Sequence, residues 1–462
     1  MNGESGKTYA GRTVLVVGAA RSGLASAEFL LARGARVVLT DVKNEEALQL
    51  SLAPLRKLAQ ESGELVLDLG GHRPESFCNC DFVIISPGVP LALPAFEESR
   101  KAGIPILAEV ELAFRHLKGK ILGITGSNGK TTTTALAAEL LRGAGLKGHA
   151  AGNIGNPLIA YASLSTPNDI YVVELSSFQL ESIYEFRPFV GAILNLTPDH
   201  MDRYRDFADY VDAKQRIFMN QTATEFAVLN EDDPRTAAMA GQVSSTPVFF
   251  SRRREVARGT FLRGGRLVYC DGRHETDLFG AEEIRLKGSH NLENVLAASA
   301  ITLLAGAAPG SLVNVIRAFT GVEHRLEWVA EVDGVQYFND SKATNVDATI
   351  KSLEAFPGNI LLIAGGHDKG GDFTALRTLV AQRVKHLIVI GEAAGKIRDA
   401  LSDVTETSAA TSLAEAVFFA SRKASAGDIV LLAPACASFD MFQNFEHRGR
   451  VFKEAVRGLA RR

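Results

Sequence analysis

The segment Ile121-Leu-Gly-Ile-Thr-Gly-Ser-Asn-Gly-Lys-Thr-Thr-Thr-Thr134 constrains this chain more than any other. The apolar run Ile121 to Ile124 has the content of a short buried strand, and the residues from Thr131 to Leu141 follow a helical pattern. Between them, Gly126 and Gly129 let the backbone curl so that its N–H groups face an anion. The start of the helix adds unpaired donors and a partial positive charge. Lys130 is placed to reach outer phosphates, and the Thr131 hydroxyl to ligate Mg²⁺. The usual pattern has a further glycine five residues before Gly129, where this chain carries Ile124. The order strand, glycine loop, Gly-Lys-Thr, helix predicts a triphosphate site. The competing reading is a plain turn whose lysine is solvated.

A chain of 462 residues has room for about three domains. Its 46% apolar and 22% charged content is that of a globular protein, and a net charge of −3 gives no bulk attraction to nucleic acid or to an anionic membrane. Met1 to Arg12 lacks the apolar core of a signal peptide, and no apolar run approaches bilayer-spanning length, so a cytoplasmic location is expected. Cys78, Cys80, Cys270 and Cys436 lack the spacing of a zinc site and read as reduced thiols.

Three stretches alternate strand-like and helix-like segments in the rhythm of parallel α/β domains. In the first, strands are expected at Thr13 to Val17, Arg36 to Thr40 and Phe82 to Ile85, with a helix over Leu24 to Ala32. The rhythm restarts at Ile121 after a helix-like Ala108 to His116. Strands follow at Ile170 to Val173 and Ala192 to Leu196, then a short antiparallel excursion over Thr260 to Leu286 around Gly264-Gly265, and a helix over Asn294 to Leu304. A third start comes after Gly321, with strands at Val335 to Phe338, Ile360 to Ile363, His386 to Ile390 and Ile429 to Leu432, separated by helices such as Phe373 to Val380 and Leu413 to Lys423. Boundaries are expected at 1–108, 109–321 and 322–462.

Chemistry-bearing residues gather where these strands end. Gly18-Ala-Ala-Arg-Ser-Gly23 with Asp41 resembles a dinucleotide fingerprint, but Ala20 stands where a glycine should let the backbone meet a pyrophosphate. Another nucleotide, or a structural turn, fits better than NAD. Glu174 ends an apolar strand downstream of the glycine loop, where an Mg²⁺-organising carboxylate belongs. The alternative is a buried glutamate paired with an arginine. His200 sits among Asp199 and Asp202, whereas Lys214 alone looks like a solvated helix lysine. Asn291 and Asn294 open a helix and could cap it or read a base edge. Arg325 could meet a phosphate. Asp340, Lys342, Thr344, Lys369 and Ser438 lie just past the third set of strands and point to a ligand-facing surface.

The ordered set Thr125-Gly-Ser-Asn-Gly-Lys-Thr131, Gly152-Asn-Ile-Gly155, Glu174-Leu-Ser-Ser177, Asp199-His-Met-Asp-Arg203, His290-Asn-Leu-Glu-Asn294, His324-Arg325 and Asn339-Asp-Ser-Lys342 resembles the Mur ligases, the ATP-dependent amino-acid-adding enzymes of peptidoglycan synthesis. The tail Ser438-Phe-Asp-Met-Phe-Gln-Asn-Phe445-Glu-His-Arg-Gly449 looks like the D-glutamate-adding branch. The resemblance spans essentially the whole chain. It implies an α/β fold of three domains: a Rossmann-like N-terminal domain for the UDP substrate, a central P-loop ATPase-like domain, and a Rossmann-like C-terminal domain for the amino acid.

It also implies roles that spacing cannot show. Gly126, Ser127, Asn128, Gly129, Lys130, Thr131 and Thr132 would hold the ATP phosphates, and Asn291, Asn294, Arg325 and Asp340 would contact ATP. Of two Mg²⁺ ions, one would take Thr131 and Glu174. The other would take His200 and Lys214, the latter carboxylated to a carbamate. Lys130, Glu174, His200 and Lys214 would be the catalytic set. UDP-N-acetylmuramoyl-L-alanine would be held by Ser22, Asp41, Lys43, Ser86, Pro87, Gly88 and Asn153, and D-glutamate by Lys342, Thr344, Lys369, Ser438, Phe439 and Phe445. Ala19-Ala20-Arg21 and Lys43 depart from the family's pattern in the first domain. The implied reaction activates a carboxylate as an acyl phosphate and closes the third domain toward the second, in a monomer with small-molecule partners only. A folylpolyglutamate synthase-like ligase is disfavoured by the complete nucleotide-binding first domain. A non-catalytic nucleotide module is disfavoured by Glu174, His200 and Lys214, and a dehydrogenase by Ala20.

Overall fold

A computed structural model of the chain describes residues 9–198, 203–286, 288–368 and 370–459. They form two compact units, one ending at Phe319 and the other beginning at Thr320.

The first unit holds two sheets. The strands β1 (Thr13–Val17), β2 (Arg36–Asp41), β3 (Glu64–Leu69), β4 (Phe82–Ile85) and β5 (Ile106–Ala108) are all parallel, in the order β3-β2-β1-β4-β5. The chain leaves β1 toward β2 on one side and returns to β4 on the other. The loops after β1 and β4 therefore flank a switch point, the crevice where open α/β sheets bind ligands. The second sheet comprises β6 (Lys120–Thr125), β7 (Lys147–Gly152), β8 (Asp169–Glu174), β9 (Val190–Ile193), β10 (Phe226–Asn230), β11 (Thr246–Ser251), β12 (Gly259–Arg263), β13 (Arg266–Cys270) and β14 (Glu275–Gly280). Its order is β14-β13-β12-β11-β10-β9-β6-β8-β7, with β6 flanked by β8 and β9. Only β12, β13 and β14 pair antiparallel, around a turn in which Gly264 and Gly265 both have positive φ, as a two-residue hairpin demands.

These two sheets form one unit because the joint between them is buried and hydrogen-bonded. A single apolar cluster runs from Val14 and Leu30 through Val110 and Leu158 to Val173 and Ile193. Burial of that size removes water from both sides of the joint and is the main favourable term holding it. The helix Glu109–Phe114 follows β5 directly. The fully buried Glu111 carboxylate accepts backbone N–H bonds from Tyr184, Glu185 and Phe186 and an ion pair from Arg115. Glu109, 1% exposed, accepts from the Ile159 amide at 2.6 Å through Oε1, while its Oε2 is buried without a hydrogen-bond partner among the described residues. The turn it holds, Leu158–Tyr161, follows the Gly152–Asn156 loop.

The second unit has the strands β15 (Glu327–Val332), β16 (Val335–Asn339), β17 (Ile360–Gly365), β18 (Val384–Ile390), β19 (Glu406–Ala409) and β20 (Ile429–Leu432), ordered β15-β16-β20-β17-β18-β19. Only the β15–β16 pair is antiparallel. Asn339, Leu432 and Ile363 lie in register, so the loops after β16, β20 and β17 leave the sheet side by side. Apolar clusters cover both faces. All four cysteines are free thiols, and no helix among the described residues is long and apolar enough to cross a membrane.

Burial raises the Glu109 carboxyl from 4.5 to about 7, against the opposing Ile159 and Leu158 amides. The folded state then binds the proton more tightly than the unfolded one. The stability this proton supports is complete below pH 4.5 and is lost as pH rises through about 7, roughly 3 kcal/mol in all. Glu109→Gln, neutral at every pH, is expected to flatten that decline in thermal melts between pH 5 and 8. Parallel profiles for the two proteins would refute it.

Candidate active site

The glycine loop leaves β6 at Thr125 and curls to Gly129, where the helix Lys130–Gly143 begins. Gly129 has φ +84°, and a Cβ there would lie 2.2 Å from Oδ1 of Asn294. A side chain at this position would thus meet both backbone strain and a clash. The Asn294 carboxamide fills that space, accepting from Thr133 Oγ1 at 3.3 Å while its Nδ2 donates to Asn291 Oδ1 at 3.1 Å. The loop is braced from the other side by the segment after β9. The Ser127 amide donates to the Asn195 carbonyl and the Asn128 amide to Asn195 Oδ1, and Ser127 Oγ donates to the Thr197 carbonyl at 2.8 Å. The loop is therefore held in its curl before any ligand arrives.

Two ammonium groups converge on one atom of this loop. Lys130 Nζ donates to the carbonyls of Gly126 and Ser127 at 2.8 Å each, and Lys214 Nζ donates to the same Gly126 carbonyl at 3.0 Å. Lys214 is 2% exposed and lies over the Tyr210 ring. It comes from the helix Phe207–Gln215, whose pattern alone reads as solvated; the structure buries it against the loop. Glu174 ends β8 beside β6, in register with Ile124. Its Oε1 accepts from Asn153 Nδ2 at 3.0 Å, and its Oε2 is buried without a hydrogen-bond partner among the described residues. Thr131 and Thr132 are buried at the start of the helix.

A carboxylate oxygen with no hydrogen-bond donor among the described residues, a buried hydroxyl and a helix N-terminus, all at the carboxyl ends of neighbouring strands, fit a triphosphate accompanied by a divalent cation. His200 lies outside the described residues. Gln179 was not singled out by its sequence context. Its Oε1 accepts from the Ser176 amide in a capping box, which leaves its buried Nε2 without a hydrogen-bond partner among the described residues.

In the first sheet, the Gly18–Gly23 turn is packed so closely that a Cβ at Gly23 would meet the Gly18 carbonyl at 1.8 Å. Ser86 Oγ donates to that carbonyl at 3.0 Å. The Asp41 carboxylate accepts from the Ala19 amide at 2.6 Å and the Lys43 amide at 2.8 Å. It therefore shapes the turn with its own oxygens. Lys43 and Gly88 are exposed, and Ser22 is half-buried at the start of the helix Arg21–Leu31.

In the second unit, Asp340, Lys342 and Thr344 follow β16, and Ser438 follows β20. Asp340 accepts from Ser352 Oγ; burial raises its carboxyl, opposed by Arg325 and Lys342. His324 and Leu326 flank Arg325 with positive φ, an uncommon conformation for residues with a Cβ. Lys342 Nζ lies 6.0 Å from the Phe445 ring centre, and Phe439 is 73% exposed beside the buried Ser438. Lys369 lies outside the described residues; its neighbour His367 pairs through the backbone with Ala437.

Arg448, to which the sequence motifs assigned no role, ties these loops together. It is fully buried, donating through Nε to Ser341 Oγ and through its two terminal nitrogens to the carbonyls of Ser341, Gly365, Cys436 and Ala437. Its planar guanidinium serves three loops through three separate nitrogens, a spread of donors that a single ammonium nitrogen does not have.

Three family models cover most of the chain: Mur ligase MurD-like, N-terminal domain, at residues 12–108; Mur ligase middle domain at 124–302; and Mur ligase, glutamate ligase domain, at 324–436. A protein of Geotalea uraniireducens named UDP-N-acetylmuramoylalanine–D-glutamate ligase is 49% identical over 449 residues, 97% of this chain and 98% of its own. A Koribacter versatilis protein of the same name is 48% identical, over 97% of this chain and 98% of its own. Among solved structures, the UDP-N-acetylmuramate-alanine ligase of Thermotoga maritima superposes with a TM-score of 0.56 at 20% identity, covering 97% of this chain and 99% of that one.

Proposed function

The chain belongs to the Mur ligase family, and we propose that it joins D-glutamate to UDP-N-acetylmuramoyl-L-alanine at the expense of ATP. The observation that carries this is the convergence of Lys130 and Lys214 on the Gly126 carbonyl, beside the buried carboxylate of Glu174. Activating a carboxylate with ATP brings one anion onto another, and the site must offset that repulsion. Lys130 is placed to turn from the loop carbonyls to the outer phosphates, while the first amides of the helix Lys130–Gly143 hold the inner ones. Relatives of nearly equal length bear the D-glutamate ligase name.

In this account the L-alanine carboxylate attacks the γ-phosphate, ADP leaves, and an acyl phosphate forms. The neutral amine of D-glutamate then attacks the activated carbonyl, and phosphate departs as the amide forms. Gly126 to Thr132 hold the triphosphate, with Asn291, Asn294, Arg325 and Asp340 contributing to ATP. Ser22, Asp41, Lys43, Ser86, Gly88 and Asn153 take the nucleotide sugar. Lys342, Thr344, Lys369, Ser438, Phe439 and Phe445 take the amino acid. Thr131 and Glu174 would hold one Mg²⁺ ion and His200 and Lys214 a second, and such ions would supply screening of the triphosphate charge. The family resemblance implies that Lys214 would hold its ion as a carbamate, which turns a cation into an anionic oxygen ligand. That change also relieves the meeting of two cations on one carbonyl. We place the three domains at 1–108, 109–321 and 322–462, in a cytoplasmic monomer.

Two measurements test this reading. Phosphate release is expected with UDP-N-acetylmuramoyl-L-alanine and D-glutamate, and not with L-glutamate or lysine; release with lysine instead would reassign the amino acid. Lys214→Ala is expected to lose activity by at least a hundredfold and to regain part of it with a short-chain carboxylic acid. A variant with full activity would refute the carbamate.

A further inference from the structure

Arg203 reaches out of the second sheet's loops to the first sheet's ligand crevice. Its guanidinium donates to the Val89 carbonyl at 3.5 Å. Val89 closes the Ser86-Pro-Gly-Val89 turn after β4, its amide donating to the Ser86 carbonyl, and Ser86 in turn donates to Gly18. The arginine is held over the Phe178 ring, 3.5 Å from its centre, with Glu181 at 3.9 Å. Planar stacking and a carboxylate together fix the guanidinium far better than either would alone.

The contacts continue inward without a break. Phe178 stacks on Tyr204, whose ring planes lie 18° apart. The Tyr204 hydroxyl donates to Glu181, and burial together with that carboxylate raises its pKa, keeping the proton in place. Tyr204 meets Tyr210 edge-on at 5.4 Å. The Tyr210 hydroxyl lies 3.0 Å from Ser127 Oγ in the glycine loop, and its ring carries Lys214.

We infer that Arg203 is a positioning residue that couples occupancy of the nucleotide-sugar crevice to the glycine loop. This rests on the functional reading given above, in which the 86–88 turn takes the nucleotide sugar. A ligand seated on that turn fixes the Val89 carbonyl. The fixed carbonyl holds Arg203 on Phe178, and the aromatic stack transmits the restraint to Ser127. The backbone curl is already braced; what the restraint adds is a fixed Tyr210, and with it the Ser127 hydroxyl and the Lys214 ammonium that a triphosphate meets. By reciprocity, the triphosphate strengthens binding of the nucleotide sugar by the same factor. Arg33 also crosses between the two sheets, donating to Ser163 Oγ, but it lies over Phe29, away from both loops. It is the internal control.

Calorimetric titration of the Mg²⁺ complex of a non-hydrolysable ATP analogue, with and without saturating UDP-N-acetylmuramoyl-L-alanine, tests the inference. The wild-type protein is expected to bind the analogue at least fivefold more tightly when the nucleotide sugar is present. Arg203→Met is expected to reduce that gain below twofold, with analogue affinity alone unchanged within twofold. Arg203→Lys keeps the charge but not the planar stack and is expected to fall between them. Arg33→Met should match the wild type. Wild-type coupling in both Arg203 variants would overturn the inference, as would absence of coupling in the wild type. If the wild-type protein binds neither ligand, the functional reading itself falls, and this inference with it.

Discussion

The carbonyl of Gly126 is the atom around which the catalytic side of the first unit is organised. Lys130 and Lys214 both donate to it, from helices on either side of β6. Two like charges on one acceptor are tolerable only where other groups spread or remove the charge, and the neighbourhood is built for that. Glu174 presents a carboxylate at the end of the adjacent strand, and the helix that starts at Lys130 turns its N-terminus to the same loop. In the function proposed above, an incoming triphosphate replaces the carbonyl as the partner of Lys130. The loop does not have to reorganise to receive it, because Asn195, Thr197 and Asn294 already hold its curl. Preorganisation of this kind places the cost of ordering in folding rather than in each catalytic cycle.

Buried charges do a different task away from this centre. Glu111 and Glu109 use their carboxylates on backbone amides and lock the two sheets of the first unit to each other. Arg448 does the converse in the second unit, spending its donors on backbone carbonyls of the loops after β16, β17 and β20. Burying such a group in its charged form is unfavourable unless its hydrogen bonds are nearly all made. Glu111 and Arg448 meet that condition. Glu109 does not, which is why its carboxyl holds a proton to about pH 7.

Much of this was legible in the residues. β1, β4 and β20 coincide with apolar runs bounded by turn residues, and Gly264-Gly265 announced the antiparallel hairpin. The helix Glu45–Ser62 was not legible, because Pro54 interrupts its pattern and few of its residues are buried. β3 was missed for a related reason, being mostly half-exposed at a sheet edge. The expected strand Ala192 to Leu196 starts two residues earlier and ends three residues earlier, at Val190–Ile193, since Asn195 and Thr197 are drawn off to brace the glycine loop. Contacts across long separations carried no local signal. Asn294 fills the space above Gly129 from 161 residues beyond its partner Thr133, and Arg448 reaches Ser341 across 107. Asp41 sits at the spacing of a ribose ligand, and the bonds its oxygens accept from the Ala19 and Lys43 amides are a further role that the spacing does not announce. Sequence spacing identifies which residue types meet a strand end, but packing decides whether they face a ligand or one another.

The central claim is that this site exists to activate a carboxylate by phosphoryl transfer. The direct measurement is the fate of oxygen. UDP-N-acetylmuramoyl-L-alanine labelled with ¹⁸O in its L-alanine carboxylate is incubated with ATP and D-glutamate, and the released phosphate is analysed by mass spectrometry. The account predicts one ¹⁸O atom in each phosphate, carried over when the acyl phosphate breaks down. Unlabelled phosphate would show that ATP is cleaved without passing through the carboxylate and would contradict the account.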